Sequence, residues 1–308
     1  MSALADRLAD YLALRRAVGF KLEAQGRLLP QFVAYLDDIG TETITVEAAL
    51  AWAVNPLAVQ PGRARGRLSM VRAFARYLQA FDPAVQVPPT NLVAAQRRRT
   101  TPYLYSEAEI AALLAGAATL RSPLRAATYR TLIGLIAVTG MRGCEARDLD
   151  RDNVDFHTGL LTIRDTKFNK SRQLPLHAST VMALRDYTHV RDALRPNPKT
   201  PAFFVSMAGT RLVRSNMGTT FRKLAEHVGL EARDGSGPPR LHALRHSFAV
   251  TTLLAWYRDG GDVAARMPLL SAYLGHAKPA STYWYLQAAP DLLAAAAARL
   301  DQPLRARA

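Results

Sequence analysis

The chain has 308 residues, of which 49% are apolar and 21% charged, and this length predicts two domains with sizeable cores. Its 40 lysine and arginine residues outnumber its 25 acidic residues and give a net charge of +15. This charge argues against an enzyme that acts on neutral metabolites and favours a nucleic-acid partner. Arginine, whose guanidinium suits phosphate oxygens, supplies all but six of the cations. The one cysteine, Cys144, excludes an internal disulfide, and no zinc-finger spacing or membrane-length apolar run occurs, so we expect a soluble, cytoplasmic protein.

Apolar residues recur at helical spacing throughout residues 3–88, and no strand pattern competes with them. We predict a bundle of four helices, the third over Glu47 to Val54 and the fourth over Gly66 to Phe81. The fourth helix carries three cations that we interpret as DNA-binding, namely Arg67, Arg72 and Arg76. Residues 1–88 are therefore predicted to form a small helical DNA-binding domain.

Helical periodicity stops in the proline-containing stretch that follows, and we predict an interdomain linker over residues 89–102. This linker contains the basic triplet Arg97, Arg98 and Arg99. A triplet of this kind is often only a solvated run of charge. Because it lies between two basic domains, we interpret it as a contact to a phosphate backbone.

The second domain, residues 103–308, begins with a capping box of Ser106 and Glu109. A long apolar helix from about Leu124 to Val138 is expected to end at Gly140, a residue suited to the left-handed conformation. Strand-forming residues at 160–164 and 172–176 predict a β-hairpin with Lys167 and Lys170 near its tip. The remaining predicted elements are helices over Ser179–Leu194, Ser215–Val228, His242–Trp256, Val263–Leu274 and Pro290–Leu300, and a short strand at Phe203–Ser206. The fold class is therefore mainly α with a small β-hairpin or sheet, in two domains.

Four scattered segments carry polar groups that packing does not explain. Each has a simple alternative when taken alone: a surface arginine after a helix, a basic helix face, a structural histidine, or an aromatic core stripe. Together their guanidinium and imidazole groups would make good ligands for phosphate oxygens. The segments are Thr139–Glu145 with Arg142, Thr166–Lys167, Leu241–His246 with His242 and Arg245, and Leu274–His276 followed by Tyr285.

In this order and spacing, the segments resemble the catalytic domain of the tyrosine recombinase (phage-integrase, Xer-like) family over about Pro102 to Asp291. The signature is an arginine in a TGxR-type turn with a glutamate three residues later, a lysine in a hairpin, HxxR, and LGH with a tyrosine downstream. The resemblance implies an α+β catalytic domain that cuts and rejoins DNA. The N-terminal helices resemble the family's core-binding domain in size, helicity and charge.

The resemblance assigns a catalytic role to six positions: Arg142, Lys167, His242, Arg245, His276 and Tyr285. The Tyr285 phenol would attack a DNA phosphodiester to give a 3′-phosphotyrosine and a free 5′-hydroxyl, with no need for ATP, a metal or another cofactor. The two arginines would clamp the non-bridging oxygens, and Lys167 would protonate the leaving oxygen. His242 is the expected proton acceptor and His276 the phosphate hydrogen-bond donor, with Glu145 and His246 supporting. The partners implied are double-stranded DNA and further copies of the chain, four protomers joining two sites.

Several alternatives stay open at this stage. Lys170 is a rival to Lys167 and is otherwise a DNA contact, and Tyr283 is a rival to Tyr285. The C-terminal helix could dock on a neighbouring subunit or on its own domain. A type IB topoisomerase-like enzyme or a non-catalytic DNA-binding accessory protein would also be consistent with parts of the pattern. The biological task, whether integration, excision, transposition of a mobile element or dimer resolution, does not follow from the sequence.

Overall fold

The chain divides into two compact units, Met1–Arg99 and Thr100–Ala308, in the computed structural model. The structure describes residues 2–55, 61–93, 101–164, 171–233, 235–276, 280–288, 292–294 and 297. Several residues singled out from the sequence lie outside these ranges, namely Lys167, Lys170, Arg97, Arg98 and Arg99. Most of the predicted helix Pro290–Leu300 also lies outside them.

The described part of the first unit consists of helices joined by turns and loops, without a strand, as the apolar spacing predicts. Its helices are α1 (Ala3–Ala17), α2 (Glu23–Asp38), α3 (Val46–Val54) and α4 (Pro61–Leu78). The Thr45 side chain caps α3 by accepting from the Ala48 amide at 3.1 Å. Helix α4 begins earlier than predicted, because Ala64 and Leu68 already pack inward while the glycines around them face open space.

The second unit contains eight described helices, three short strands and one turn of 3₁₀ helix. The helices are α5 (Glu107–Ala118), α6 (Pro123–Thr139), α7 (Gly143–Asp148), α8 (Ala178–Leu194), α9 (Arg214–His227), α10 (Ala243–Arg258), α11 (Val263–Leu274) and α12 (Ala280–Ala288). The strands are β1 (Val154–Asp155), β2 (Leu160–Ile163) and β3 (Arg172–Pro175), and the 3₁₀ turn is Arg151–Asn153. The capping box of Ser106 and Glu109 forms as predicted at the start of α5.

The three strands form one antiparallel sheet in the order β1-β2-β3. The predicted hairpin is confirmed, with Leu161 opposite Leu174 and Ile163 opposite Arg172. Strand β1 is too short for a sequence pattern to reveal it. The predicted strand at Phe203–Ser206 is wrong: Ala202 and Val205 each make a single bridge, to different segments, so no ladder develops.

Two buried clusters of the second unit position the elements of the site. One packs α5, α6, α8 and α9 around the sheet and includes Met141 and Leu244. The other packs α10, α11 and α12 together and includes Leu274 and Tyr285. The turns that carry Arg142 and His276 therefore follow helices, α6 and α11, whose ends are fixed by apolar packing. None of the helices in the described ranges combines the length and the apolar character needed to cross a bilayer.

Candidate active site

The turn after α6 brings Arg142 out of the core. Helix α6 ends at Gly140, whose φ of 60° is left-handed, as the sequence predicts. A Cβ at this position would also lie 2.4 Å from the Phe248 ring, so the close approach of α10 requires a glycine here. Two residues later the chain enters α7, and Arg142 occupies its N-cap.

Glu145 accepts hydrogen bonds from two arginines. Its carboxylate receives the Arg142 backbone N–H at 2.8 Å and the Arg142 Nη1 at 2.6 Å. Nη1 and Nη2 of Arg172 donate to its two oxygens at 3.1 and 2.8 Å. Burial raises the pKa of Glu145, but the hydrogen bonds and charges of Arg172 and Arg142 outweigh it and hold the pKa below its usual value. Glu145 is therefore an ionised carboxylate that fixes both guanidinium groups.

Helix α10 begins immediately after His242, which brings two imidazoles and a guanidinium onto its first turn. Arg245 is 1% exposed and donates to the carbonyls of Gly140 at 2.9 Å and Leu274 at 2.7 Å. Burial, with the charge of Arg142, lowers its pKa to about 10, so the group stays cationic at neutral pH. Arg245 thus joins the turn after α6 to the end of α11.

The end of α11 presents the next functional group, His276. Gly275 has a φ of 67°, and its carbonyl accepts from Arg142 Nη2 at 2.8 Å. The Nδ1 of His276 lies 2.7 Å from the hydroxyl of Thr282, a buried residue of α12. When this hydroxyl donates to Nδ1, the neutral ring carries its proton on Nε2, which makes Nε2 the donor available to a ligand.

Tyr285, on α12, is 2% exposed and packs among imidazole rings. Its hydroxyl lies 3.2 Å from His246 Nδ1, and its ring stacks on His276 with centroids 6.2 Å apart. Burial raises the pKa of the phenol, whereas the charge and hydrogen bonding of Arg245 and the charge of Arg142 act to lower it. The rival Tyr283 is 48% exposed on another face of the same helix.

The three histidines are all biased toward the neutral form. Burial, followed by the charges of neighbouring imidazoles and arginines, lowers the pKa of His246 to about 3 and that of His276 to about 4. The side chain of His242, at the start of α10, is more exposed than that of His246. Desolvation of the His242 ring and the charges of Arg245 and Arg142 nevertheless lower its pKa. Its ring meets that of His246 edge to face, with centroids 4.8 Å apart.

A cavity of about 870 Å³ opens beside Arg142 and His242. Exposed arginines of α9 and of the segment before α10 line it, together with the apolar side chains of Met217 and Phe221. The single cysteine, Cys144, also lines this cavity. The surface next to Arg142 and His242 is therefore concave, and it is basic because five arginines outnumber two glutamates in its lining.

The structure brings seven of the residues singled out from the sequence into one site: Arg142, Glu145, His242, Arg245, His246, His276 and Tyr285. Arg67, Arg72 and Arg76 belong to the other unit. Arg67 donates to the Trp52 carbonyl at 3.0 Å and lies over the Trp52 ring. Arg72 donates to the carbonyls of Pro88 and Pro89 at 2.6 and 2.7 Å. Arg76 is exposed.

Sequence reasoning missed two contributors, Arg172 and Thr282. Arg172 falls at the start of a predicted strand, where alternation gave no sign that its side chain turns toward Glu145. Thr282 lies three residues before Tyr285, one helical turn away, and helical spacing alone could have placed it on the same face. Arg172 acts through distant segments, which local patterns do not reveal, whereas Thr282 contacts His276 only six residues away.

Known proteins resemble this chain over much of its length. Residues 104–291 match the model of the phage integrase family. A putative integrase/recombinase of Sinorhizobium fredii is 42% identical over 98% of both chains, and a tyrosine recombinase XerC of Mycobacterium tuberculosis is 31% identical over 94% of this chain and 95% of its own.

Solved structures share the fold at lower identity. The Tn1549 transposon integrase in complex with transposon right end DNA superposes with a TM-score of 0.65 at 15% identity, covering 98% of this chain and 99% of its own. A lambda integrase tetramer bound to a Holliday junction gives a TM-score of 0.60 at 17% identity, covering 92% of this chain and 76% of its own. With these likenesses and the family match over more than half its length, the chain belongs to the phage integrase family of tyrosine recombinases.

Proposed function

We propose that this protein is a site-specific DNA recombinase that cuts and rejoins strands through a 3′-phosphotyrosine intermediate. The observation that carries the proposal is the convergence on one turn, Leu274 to His276. Arg245 donates to the Leu274 carbonyl, Arg142 donates to the Gly275 carbonyl, and His276 follows directly. The ring of Tyr285 stacks on that histidine. Two cations, a hydrogen-bond donor and a phenol are thus concentrated at one point.

The two arginines would bind the non-bridging oxygens of the scissile phosphate. Negative charge builds up on these oxygens in the transition state, and each preorganised donor lost costs about 3 to 4 kcal/mol of stabilisation. The fixed carbonyl and carboxylate partners of Arg142 supply this preorganisation. His276 would add a third donor through Nε2, since Thr282 occupies Nδ1.

Tyr285 would attack phosphorus with its Oη as the phenolic proton departs. His246 touches the phenol, but with a pKa of about 3 it holds a proton poorly, so we assign it the orientation of the phenol. His242 keeps the role of proton acceptor because its ring, 4.8 Å from that of His246, is the more exposed of the two, and it would take the proton once the phenol has moved toward the phosphate. Because Tyr285 and Arg245 are both buried, the phenol must move as the phosphate enters between them.

The bond to the 5′ oxygen breaks as the tyrosyl–phosphate bond forms, and the leaving oxygen takes a proton. We assign that proton to Lys167, the lysine predicted at the tip of the hairpin. The free 5′-hydroxyl of a partner strand then attacks the phosphotyrosine and restores a phosphodiester. One ester is exchanged for another in each step, so the reaction requires no ATP.

The substrate implied is double-stranded DNA, and the assembly implied is a tetramer joining two sites. A lambda integrase dimer bound to a core site and a tetramer bound to a Holliday junction provide structural precedents. Because the proposed substrate is DNA, we infer a cytoplasmic location. The recombinase and integrase names of the relatives favour strand exchange over a topoisomerase or an accessory protein.

The test is recovery of protein-linked DNA from host cells that express the wild type, Tyr285→Phe or Tyr283→Phe. After denaturation, we expect wild type and Tyr283→Phe to retain DNA whose sequences share one junction, and Tyr285→Phe to retain none. Tyr283 is the matched control because it lies two residues away on the same helix. Adducts from Tyr285→Phe, or their absence from the wild type, would overturn the proposal.

A second measurement separates the alternatives. Relaxation of any supercoiled plasmid by purified protein, without pairing of sites, would indicate a topoisomerase-like activity instead. Strand exchange restricted to plasmids that carry two copies of the recovered junction would support the recombinase.

A further inference from the structure

Arg172, at the start of β3, connects three segments of the site. Its side chain is only 13% exposed. Nε donates to the carbonyl of Tyr273 at 2.9 Å, and the two terminal nitrogens donate to the two oxygens of Glu145 at 3.1 and 2.8 Å. One planar group thus ties the hairpin to the last turn of α11 and to the first turn of α7.

The contact with Gly275 is equally close. A Cβ on Gly275 would lie 2.6 Å from Arg172 Nη1 and 3.0 Å from its Cζ, so the guanidinium packs directly against the glycine. The Gly275 carbonyl meanwhile accepts from Arg142 Nη2. The residue immediately before His276 is therefore held by two arginines, and only glycine leaves room for this arrangement.

Arg142 depends on the same network. Its Nη1 donates to Glu145 and its Nη2 to Gly275, the two groups that Arg172 also contacts. The carboxylate of Glu145 offsets the repulsion between the two guanidinium groups, which otherwise would push Arg142 away. Arg142 retains 30% exposure for a ligand, whereas Arg172 is more deeply buried.

We propose that Arg172 is a positioning residue for strand cleavage. This proposal rests on the function proposed above. It holds Glu145 and Gly275 without touching the phosphate, and through them it sets the positions of Arg142 and His276. Lysine cannot replace it, because a single ammonium cannot donate in one plane to both carboxylate oxygens and a carbonyl. A small displacement of groups that bind the reacting phosphate costs about 10²-fold in rate.

The test is single-turnover cleavage of a nicked duplex that carries the junction recovered from wild-type adducts. We expect Arg172→Lys to cleave about 10²-fold more slowly than the wild type, with a DNA Kd within about threefold. The matched control is Arg211→Lys, since Arg211 also binds a carboxylate and carbonyls, those of Asp150, Arg147 and Leu149, but not the residues of the Leu274–His276 turn. The control should lose thermal stability and retain the wild-type cleavage rate.

A double variant distinguishes positioning from a general loss of structure. If Arg172 acts through Arg142, Arg142→Lys with Arg172→Lys should cleave at about the rate of Arg142→Lys alone. The proposal would be overturned if the losses of the two single variants multiplied in the double variant, or if Arg172→Lys cleaved at the wild-type rate. Because a weakly folded Arg172→Lys would be ambiguous, Gly275→Ala gives a second test, and it should lower the cleavage rate while leaving the DNA Kd within threefold. Absence of cleavage by the wild type would instead contradict the proposed function.

Discussion

At position 246, an imidazole lies among three other rings. The ring of His242 is 4.8 Å from it between centroids, and those of Trp284 and Tyr285 are both 5.5 Å from it. Because little water reaches the ring and its charged neighbours are cationic, a proton on His246 is strongly disfavoured. Because this packing of α10 against α12 holds the pKa of His246 at about 3, the stability of the folded chain depends on pH.

The sign of this linkage follows from the two states of the chain. An unfolded histidine has a pKa near 6.5 and binds a proton below it, whereas folded His246 stays neutral down to about 3. The unfolded chain thus binds more protons in this window, so stability falls as pH drops from about 6.5 toward 3. His276, with a pKa of about 4, acts in the same direction.

We predict that His246→Gln weakens this pH dependence. Between pH 7 and pH 5, the melting temperature of the wild type should fall further than that of His246→Gln, because the variant has one fewer group that must stay neutral. His189→Gln, on the exposed face of α8, is the control and should follow the wild type. Equal slopes for all three proteins would contradict the predicted linkage.

At the same scale, the sequence identified the groups that local motifs present and missed those that work across segments. Arg142, Arg245 and His276 each stand in a short pattern whose spacing reveals a turn or a helix start. Arg172 has no such pattern, because its partners Glu145 and Tyr273 lie 27 and 101 residues away in the chain. Only the packing of the hairpin against α7 and α11 shows what it does.

Among the elements, the helix ends marked by capping residues were predicted well, whereas both ends of α4 differ from the prediction. Ser106 and Gly140 lie where capping chemistry indicated. Predictions failed where an element has too few residues for a period to appear, as in β1, or where burial alone produced an apolar run, as at Phe203–Ser206. The latter segment is apolar because Phe203, Phe204 and Val205 are core residues, not because they form a ladder.

Gly140 provides a test of how firmly the α6–α7 turn depends on its glycine. We predict that Gly140→Ala destabilises the second unit by about 1 to 3 kcal/mol, because alanine disfavours a left-handed φ and its Cβ would meet the Phe248 ring. Denaturant unfolding measures the change. Gly218→Ala, in the interior of α9 where the added Cβ meets open space, should instead stabilise by about 0.5 to 1 kcal/mol. A neutral Gly140→Ala would show that the turn and Phe248 can relax.

Over the whole molecule, a net charge of +15 predicts that phosphate contacts supply much of the affinity for DNA. Individual arginines differ in their availability for these contacts. In α4, the guanidinium of Arg67 lies against Trp52 and that of Arg72 against two proline carbonyls, whereas Arg76 is exposed. We therefore infer that Arg76 contacts phosphate and that the other two hold the first unit together.

Binding to a duplex of random sequence tests this division of roles without knowledge of the target site. The logarithm of the affinity should fall linearly with that of the salt concentration, and Arg76→Ala should reduce the slope by about 0.9, the value for one phosphate contact. Arg67→Ala should lower the melting temperature, because Trp52 loses the cation above its ring, and keep the wild-type slope. The inference would be wrong if Arg67→Ala reduced the slope and Arg76→Ala did not. The phosphate contact would then lie on the face of α4 that carries Arg67, and the Arg67 guanidinium would have to leave the Trp52 ring to reach the phosphate.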